Sequence, residues 1–431
     1  MSKKLKVFLG IHEICGHNTN LEAGLRSLDI DCDFYSINDE NYYTSELKSG
    51  IIFNLWKSFY KLNISTSRNK IFKKIYHALL YRILNILFIL RKVILYDVLI
   101  FSYGITITNS ILEVIFYRIL RKKIIFVFFG SDSRPPYIAA KYVNDSIDID
   151  FDNLVKITRA QKNKIKKVEK YADYCINWGP SSHFHEKPFI NMMALGFPVS
   201  IKPKNTYKAN TLIVEILHVP SDSKIKKTDN ILKILDELSD EGVEYKLNLL
   251  SNVPNSAVLK AIEECDFIID CQYSDTPLGI LGIEAALLGK PTIVGGYLYK
   301  DINKYYNGYG ESLPALYTHP DEMKSGIKRL IQDADFRNDL SKRAFLFAKN
   351  IYILSAVSKN YLRIIENKIP DKWWFDPYKI EYIYGSISKD RIKDIITKLI
   401  SKYGIESLQL SDKPDLERKF IEFADIDQVR K

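Results

Sequence analysis

The sequence is poor in cysteine, has no long apolar run, and lacks acidic residues over one extended stretch. Its 431 residues include five cysteines, and their odd number and irregular spacing exclude the disulfide framework of a small secreted protein. No stretch reaches the roughly 18 uncharged apolar residues that cross a bilayer as a helix. The cysteines are Cys15, Cys32, Cys175, Cys265 and Cys271.

The beginning of the sequence does not have the pattern of a signal peptide. Its basic residues 1–6 are followed by only the short apolar run 7–11 before His12 and Glu13. The apolar region of a signal peptide needs about 7–15 residues. We therefore expect a protein of a reducing, cytoplasmic compartment.

Motifs of several enzyme classes are missing as well. The sequence has no Gly-x-Ser-x-Gly element, no P-loop and no His-Glu-x-x-His element, so hydrolase and kinase interpretations lack a motif. His12, Cys15 and His17 lie close together, but their spacing matches no zinc pattern and a second ligand pair is missing. These residues predict no zinc site.

The overall composition is that of a globular protein. It is 46% hydrophobic and 26% charged, which excludes a disordered or collagen-like chain. Apolar strands alternate with helices, and Gly follows several strands, which indicates parallel α/β sheets. The predicted strands are 5–11, 32–37, 97–104, 123–130 and 174–179 before a Lys-rich linker at 202–210, and 211–219, 245–251, 266–271 and 291–296 after it.

This alternation predicts two α/β units joined by one linker, followed by a tail. Two doubly wound sheets in tandem place a cleft between them, and ligands bind at the carboxyl ends of the strands. We expect an N-terminal domain at 1–205, a second domain at 206–365 and a C-terminal extension at 366–431. The extension either packs back on the N-terminal domain or extends an acceptor surface through its aromatic residues, Trp373, Trp374, Phe375 and Tyr378.

The segment 274–291 combines a Gly-containing loop with a short helix predicted at 281–289. Gly279 and Gly282 let the backbone approach a ligand, and the amide groups of a helix N-terminus favour phosphate. Glu284 is expected in the first turn, where its carboxylate accepts hydrogen bonds from a ribose diol. An alternative stays open, in which Glu284 only compensates the helix dipole and the glycines only form the turn.

The pattern Gly-x-x-x-x-Glu-Ala-x-x-x-Gly-x-Pro, Gly279 to Pro291, resembles the donor-site helix of group 1, family 4-like, retaining glycosyltransferases. Other segments resemble the same family in the same order, over most of residues 5–365. The resemblance implies a GT-B fold, in which two Rossmann-like domains face a cleft. The segments are FFGSDSR (128–134), KVEKYADYCINWGP (167–180), ILHVPSDSKIKKTDNIL (216–232) and VPNSAVLKAIEECDFIID (253–270).

The resemblance assigns residues of the second domain to a nucleotide-sugar donor, which is a substrate and not a cofactor. Glu284 matches the residue that binds the nucleotide ribose, and Gly279 matches the loop glycine. Lys226 matches the residue that neutralises the donor diphosphate, and Thr228 opens the helix beside it. His218 ends a strand next to this loop and is the histidine expected to face the donor.

Three positions depart from the family pattern. The first Glu of the Glu-x7-Glu element falls at Thr276, and Asp275 is the carboxylate nearby. An Arg expected before the Lys falls at Ser221, and an N-domain His is replaced by Phe129. Asp275 and Thr276 are therefore the candidates for the donor sugar. No Asp-x-Asp element lies beside the donor loop, so neither a metal ion nor another cofactor is expected.

The acceptor is assigned to the N-terminal domain, at the loop 10–18 and the turn 128–134. A His after a strand is commonly structural, and an Asp in such a turn commonly only stabilises the turn, so these alternatives stay open. The candidates are Asp132 and His12 for catalysis, and Gly10, His17, Asn18, Gly130 and Arg134 for acceptor contact.

The basic charge is concentrated in one region. The net charge is +10, and nine basic residues fall within 51–95, a stretch without any Asp or Glu. The rest of the chain is therefore close to neutral. The nine are Lys57, Lys61, Arg68, Lys70, Lys73, Lys74, Arg82, Arg91 and Lys92.

On a helical wheel of about 100° per residue, apolar residues of this region share one face and polar residues the other. This pattern is typical of a helix that lies in an anionic membrane interface, and a core-facing helix is the alternative. A nucleic-acid partner is not expected, because the apolar residues form a continuous stripe instead of separate stacking platforms. The apolar set is Phe72, Ile75, Leu79, Ile83, Ile86, Leu90 and Ile94, and the polar set is Lys70, Lys74, His77, Arg82, Asn85 and Lys92.

We therefore predict a cytoplasmic glycosyltransferase that is peripheral on the inner face of the cell membrane. It would transfer a sugar with retention from a nucleotide-sugar to a lipid-linked glycan in surface polysaccharide biosynthesis. Two alternatives stay open: a nucleotide-sugar epimerase of the same fold, and a non-catalytic scaffold subunit.

Overall fold

The computed structural model describes residues 4–37, 51–65, 71–206, 212–305 and 313–425. The chain divides into two compact units, each gathered from separate parts of the sequence. The predicted domain boundaries after residues 205 and 365 stay predictions, and part of the predicted linker lies outside the described residues. The first unit consists of Met1–Phe128, Lys167–Ile176 and Ser358–Ile369, and the second of Phe129–Lys166, Asn177–Val357 and Pro370–Lys431.

Every strand predicted from the sequence is present, within a few residues of its predicted bounds. The strands are β1 (Lys6–Ile11), β2 (Asp31–Ser36), β3 (Val98–Ser102), β4 (Lys123–Val127), β5 (Tyr174–Asn177), β6 (Phe189–Asn191), β7 (Val214–His218), β8 (Tyr245–Leu249), β9 (Phe267–Ile269), β10 (Thr292–Gly295), β11 (Leu316–Thr318) and β12 (Trp374–Phe375).

The helices between the strands vary from one turn to six. Across the described ranges, no helix is both long enough and apolar enough to cross a membrane. The helices are α1 (His17–Ser27), α2 (Ile51–Ser65), α3 (Ile71–Arg91), α4 (Ile111–Ile119), α5 (Ala140–Val143), α6 (Phe151–Tyr171), α7 (Met192–Leu195), α8 (Ser223–Lys226), α9 (Thr228–Asp240), α10 (Asn255–Glu264), α11 (Ile280–Leu287), α12 (Met323–Gln332), α13 (Ala334–Ile351), α14 (Leu354–Ile365), α15 (Lys389–Tyr403) and α16 (Pro414–Phe423).

In the first unit, parallel strands are hydrogen-bonded in the order β2-β1-β3-β4-β5. The residues of β3 are all buried, as are those of β4 after its first residue. Strands that are apolar on both sides are typical of a parallel sheet covered by helices on both faces.

The second unit repeats this topology with parallel strands in the order β8-β7-β9-β10-β11. The connection after β7 leads to β8 on one side, and the connection after β9 leads to β10 on the other side, so the topological switch point lies between β7 and β9. In sheets of this kind the ligand binds outside the carboxyl ends of the strands at the switch point. The predicted fold class, α/β with two Rossmann-like sheets, is confirmed by the two parallel sheets.

Neighbouring residues of the second sheet enter different core layers, because successive strand side chains point to opposite faces. Ile216 packs in a cluster with Ile231 of α9 and Ile327 of α12. Leu217 packs in another cluster with Ile262 of α10 and Ala285 of α11. The sheet is thus covered on both faces, and α11 begins beside its carboxyl edge.

The C-terminal extension begins as a strand in the second unit. Trp374 and Phe375 pair in antiparallel fashion with Ile190 and Phe189 of β6. The ring of Phe375 also stacks against Tyr305, with 5.5 Å between the ring centroids. Of the two alternatives for the extension, the contact with β6 agrees with packing back on residues of the predicted N-terminal domain.

Two helix predictions need correction. The sequence pattern favours one helix at about 336–366, but the structure divides this stretch into α13 and α14, because Ile353 leaves the helical conformation to form a β-bridge with Val199. The predicted stripe of the basic region also ends earlier than expected. The helix α3 stops at Arg91, so Ile94 lies in the 3-10 turn that follows.

Candidate functional site

The candidate site lies at the carboxyl edge of the second sheet, where α11 begins. Gly279 is the N-cap of α11 with an extended backbone, and the first turn carries no acidic residue. Among the described residues, no side chain caps this helix. The amide groups of the first turn therefore present the positive end of the helix dipole at the edge of the sheet.

Glu284 lies one residue deeper in α11 than predicted. The helix begins at Ile280 directly after Gly279, so Glu284 is its fifth residue and not part of its first turn. Its carboxylate is buried and accepts a hydrogen bond of 3.0 Å from the Asn255 side-chain amide. The helix ends as predicted, since Gly289 adopts a φ of +73° just beyond it.

Lys226 forms an ion pair with an aspartate that no sequence motif indicates. The Nζ atom of Lys226 lies 2.5 Å from Oδ1 of Asp270, which is only 2% exposed. A Cβ atom built on Gly279 would lie 3.1 Å from Oδ2 of Asp270, so the three residues lie together. The sequence feature that could have indicated Asp270 is its position directly after the apolar strand β9, because residues at this end of a strand lie at the ligand-binding edge.

Arg134 and Asp275 form another ion pair of the second unit. The Arg134 guanidinium binds the carboxylate through two nitrogens, and its Nε donates a hydrogen bond of 3.0 Å to Oδ2. The side chains are 12% and 11% exposed. Arg134 is a predicted acceptor residue and Asp275 a predicted donor residue, and the structure brings the two together.

Asp132 stabilises the turn from which Arg134 projects. Its Oδ1 accepts hydrogen bonds of 2.9 Å from the amide groups of Phe129 and Gly130. Burial raises the pKa of Asp132, and the opposing influences are the Lys164 charge and these amide groups. The geometry favours a positioning role for Asp132, and its predicted catalytic role stays a prediction.

His218 connects the strands at the switch point and does not face an open surface. Its Nδ1–H donates to the Ile269 carbonyl at 2.8 Å, so Nε2 accepts from the Thr228 hydroxyl at 3.0 Å. Burial lowers the pKa of His218, which agrees with a neutral ring in this tautomer. Thr228 is the first residue of α9, as predicted. Both residues therefore hold the edge in place.

The loop that carries Asp275 is fixed by its own hydrogen bonds. The Ser274 amide donates to the Gly295 carbonyl at 2.9 Å, and the Tyr317 hydroxyl donates to the Ser274 carbonyl at 2.6 Å. A Cβ atom on Gly296 would lie 2.1 Å from that carbonyl oxygen, so only glycine allows this approach. Thr276, in the same loop, donates from its hydroxyl to the Leu278 carbonyl at 3.2 Å.

In the first unit, the N-terminus of α1 is occupied by a carboxylate of the chain itself. Glu13 is buried and accepts hydrogen bonds from the amide groups of Asn18 and Thr19 at 3.0 and 2.9 Å. Asn18 is buried as well, and its side chain donates to the His12 carbonyl and the Ser102 hydroxyl. An anion-binding position at this helix is therefore already filled.

The remaining candidates of the first unit are mostly internal. His17 is fully buried, and its Nε2 lies 2.9 Å from the Tyr361 hydroxyl. Gly10 lies inside β1, paired with Tyr35 and Phe101. His12 is half-buried. The geometry favours structural roles for His17 and Gly10, and the acceptor contacts stay predictions.

No family model matches this chain, and neither does any curated protein. Solved structures of similar shape include HepE of Anabaena in complex with UDP-glucose, with 12% identity over 85% of this chain and 100% of that chain and a TM-score of 0.47. The glycosyltransferase SnogD of Streptomyces nogalater has 12% identity over 84% and 100%, with a TM-score of 0.40. An alpha-glucosyltransferase in complex with UDP-glucose and DNA has 10% identity over 84% and 99%, with a TM-score of 0.48. Likenesses at this level assign neither a family nor an activity.

The candidate site thus combines two cations, three carboxylates and a helix N-terminus around one sheet edge. The cations can bind phosphate, and a carboxylate can accept hydrogen bonds from a diol. Within the parts of the chain that the structure describes, no three His, Cys, Asp or Glu side chains converge as metal ligands. The chemistry available at this edge is recognition of a phosphorylated, hydroxyl-rich ligand.

Proposed function

We propose that this protein is a GT-B glycosyltransferase that transfers a sugar from a nucleotide-sugar to a glycan acceptor. The observation that carries the proposal is the meeting of Lys226, Asp270 and Gly279 at the switch point of the second sheet, beside the helix that buries Glu284. Ligands of doubly wound sheets bind at this place. The resemblance to the group 1 enzymes assigns Lys226, Gly279 and Glu284 to the donor, and the structure adds Asp270 beside them.

In this proposal each donor contact has a separate task. Glu284 accepts hydrogen bonds from the ribose hydroxyl groups, and Lys226 neutralises charge on the diphosphate. The diphosphate becomes more negative as its bond to the sugar breaks, so a fixed cation stabilises the transition state more than the ground state. Catalysis then rests on positioning and leaving-group stabilisation, and retention of configuration is proposed from the family resemblance alone.

The acceptor that we propose is a lipid-linked glycan intermediate of surface polysaccharide assembly. Such an acceptor would be used at the inner face of the cell membrane by a cytoplasmic, peripheral enzyme. The support for this part is the acid-free basic region 51–95. A basic segment of this kind favours anionic lipid surfaces.

The test is a nucleotide-release assay with UDP-, GDP- and ADP-sugars and a lipid-linked acceptor extract. Glu284→Gln should raise the KM for the donor by about 10- to 100-fold, because hydrogen bonds to a charged group are lost. The matched control is Glu264→Gln, the same chemical change on α10 at a side chain that is 59% exposed. The control should release nucleotide at the wild-type rate.

Other outcomes would contradict the proposal. Release at the wild-type rate by Glu284→Gln would remove the donor assignment. Interconversion of two nucleotide-sugars without acceptor would identify an epimerase. Cellular polysaccharide assembly that needs the protein but tolerates Glu284→Gln would identify a scaffold.

A further inference from the structure

The helix α3 presents a row of large apolar residues to solvent. Eight of them are between 41% and 89% exposed, which is far more than a core-facing helix allows. Contiguous apolar surface of this kind marks an interaction site. We name this set the apolar stripe of α3; it consists of Phe72, Ile75, Tyr76, Leu79, Ile83, Ile86, Leu87 and Leu90.

The opposite side of α3 is fastened to the first unit, which keeps the stripe turned outward. Trp56 of α2 is fully buried and stacks on Phe88, with 4.7 Å between ring centroids and 4° between ring planes. The Trp56 indole also donates a hydrogen bond of 2.5 Å to the Asn85 side chain. Phe88 in turn contacts Tyr35 of β2 at 5.3 Å. Asn85, predicted on the polar face, is thus the buried anchor of the helix.

Cations border the stripe on both sides. At about 100° per residue, Lys73 and Arg91 lie about 100° to one side of Phe72, and Arg82 lies about 80° to the other side. All three side chains are exposed. No acidic residue occurs between residues 51 and 95 to balance them.

We propose that the apolar stripe of α3 docks on an anionic lipid bilayer, with the helix parallel to the membrane plane. The apolar residues enter the boundary between headgroups and acyl chains, and the three bordering cations contact anionic headgroups. From Phe72 to Leu90 the stripe extends about 27 Å along the surface at 1.5 Å per residue. Docking of this kind would place the enzyme next to a lipid-linked acceptor, and only this link to the acceptor rests on the proposed function.

Charge favours a bilayer over a second copy of this chain. A symmetric dimer through α3 would bring Lys73, Arg82 and Arg91 of both copies to one interface, where like charges repel. An anionic membrane supplies the opposite charge for all three. A nucleic acid would also supply it, but the apolar stripe would then stay in water.

The experiment measures binding of the full chain to phosphatidylcholine vesicles with and without phosphatidylglycerol. The triple variant Phe72→Ser/Ile75→Ser/Leu79→Ser should lower the partition coefficient more than about tenfold on both vesicle types. Lys73→Ala/Arg82→Ala/Arg91→Ala should lower it about 100-fold on the anionic vesicles only, at about fivefold per charge. The control Leu346→Ser removes an apolar side chain that is 59% exposed on α13, and it should bind as the wild type does.

Thermal shifts with UDP, GDP and ADP are recorded for each variant to separate this proposal from the proposed function. Wild-type nucleotide shifts with lost vesicle binding support the docking surface. Vesicle binding without any nucleotide shift would leave the docking surface standing and contradict the donor site. Unchanged vesicle binding by the serine variant would overturn the docking surface. So would a concentration-dependent dimer that the serine variant abolishes, or a DNA complex that competes with vesicles.

Discussion

Two turns of this molecule, one after a strand of each parallel sheet, use their polar residues in different ways. After β1, in the first unit, Glu13 and Asn18 bond to amide and hydroxyl groups of their own neighbourhood. After β9, in the second unit, Asp270 and Asp275 bond to the side chains of a lysine and an arginine. The first arrangement involves fixed backbone donors, and the second involves long cationic side chains that can change partner.

The difference decides which of the two edges is suited to an anionic ligand. A phosphate at the α1 terminus would have to displace Glu13 from amide groups that the fold itself requires. A phosphate at the second edge can bind a cation that stays beside its aspartate, because an ammonium or guanidinium group carries several N–H donors. The comparison therefore favours a structural role for the first turn and agrees with the proposed donor site at the second.

The largest expected effect on stability comes from the removal of Arg134 in the second turn. Arg134→Ala removes the counter-charge of Asp275, whose side chain is almost fully buried. We therefore expect the free energy of unfolding to fall by about 3–5 kcal/mol. Urea denaturation measures the change. Arg134→Ala/Asp275→Ala should recover part of the loss, whereas Lys398→Ala, in an exposed pair with Asp394, should cost about 0.5 kcal/mol. Equal losses at both pairs would contradict the buried pairing.

The pH dependence of stability tests whether the buried His17 ring is neutral in the folded protein. Burial lowers the pKa of His17 to about 4, so the folded state keeps the ring neutral. The unfolded chain binds a proton below its usual pKa of about 6.5, so stability should fall as the pH drops from 6.5 towards 4, by about 2 kcal/mol at pH 5. His17→Gln should remove this share of the slope in denaturation experiments. His183→Gln, at a second histidine whose pKa is lowered to about 4, should remove a similar share in the second unit. A slope that His17→Gln does not change would mean that His17 is already charged in the folded protein.

The smallest expected effect is at Glu13. Glu13→Gln keeps one acceptor oxygen and replaces the other by an amide group that faces the donors of Thr19, so stability should fall by about 1–2 kcal/mol. Glu366→Gln, at a side chain that is 42% exposed, is the matched change in the same unit and should have almost no effect. Thermal denaturation resolves the two. Tighter UDP binding by Glu13→Gln would show that the first edge also receives phosphate.

The sequence was sufficient for the fold class and for nine of the twelve strands in the described residues, because apolar runs are local signals; the short strands β6, β11 and β12 were not predicted. It was also sufficient for the end of α11 at Gly289 and the start of α9 at Thr228. The start of α11 was predicted one residue late, which moved Glu284 from the first turn to the second. Helix boundaries depend on backbone capping at Gly279, which spacing alone does not resolve.

The pairings of the candidate site were beyond the reach of sequence patterns. Arg134 and Asp275 are 141 positions apart, and no local pattern indicates that they meet. The hydrogen bond from Asn255 of α10 to Glu284 of α11 could not be predicted for the same reason. The apolar stripe of α3 left two interpretations open, since a helical wheel shows which residues share a face but not what that face contacts. The exposure of the stripe in the folded unit excludes the core-facing interpretation, and membrane docking stays a proposal.

The tight approach of Gly296 to the Ser274 carbonyl has a consequence for binding entropy. The segment that carries Asp275 is ordered by folding, through the hydrogen bonds to Gly295 and Tyr317. Ligand binding at this edge therefore does not have to order a flexible loop. Such ordering otherwise costs roughly 1–2 kcal/mol for each backbone residue. Association at the second edge should accordingly proceed as docking on a preformed surface, with a rate set by encounter and not by loop closure.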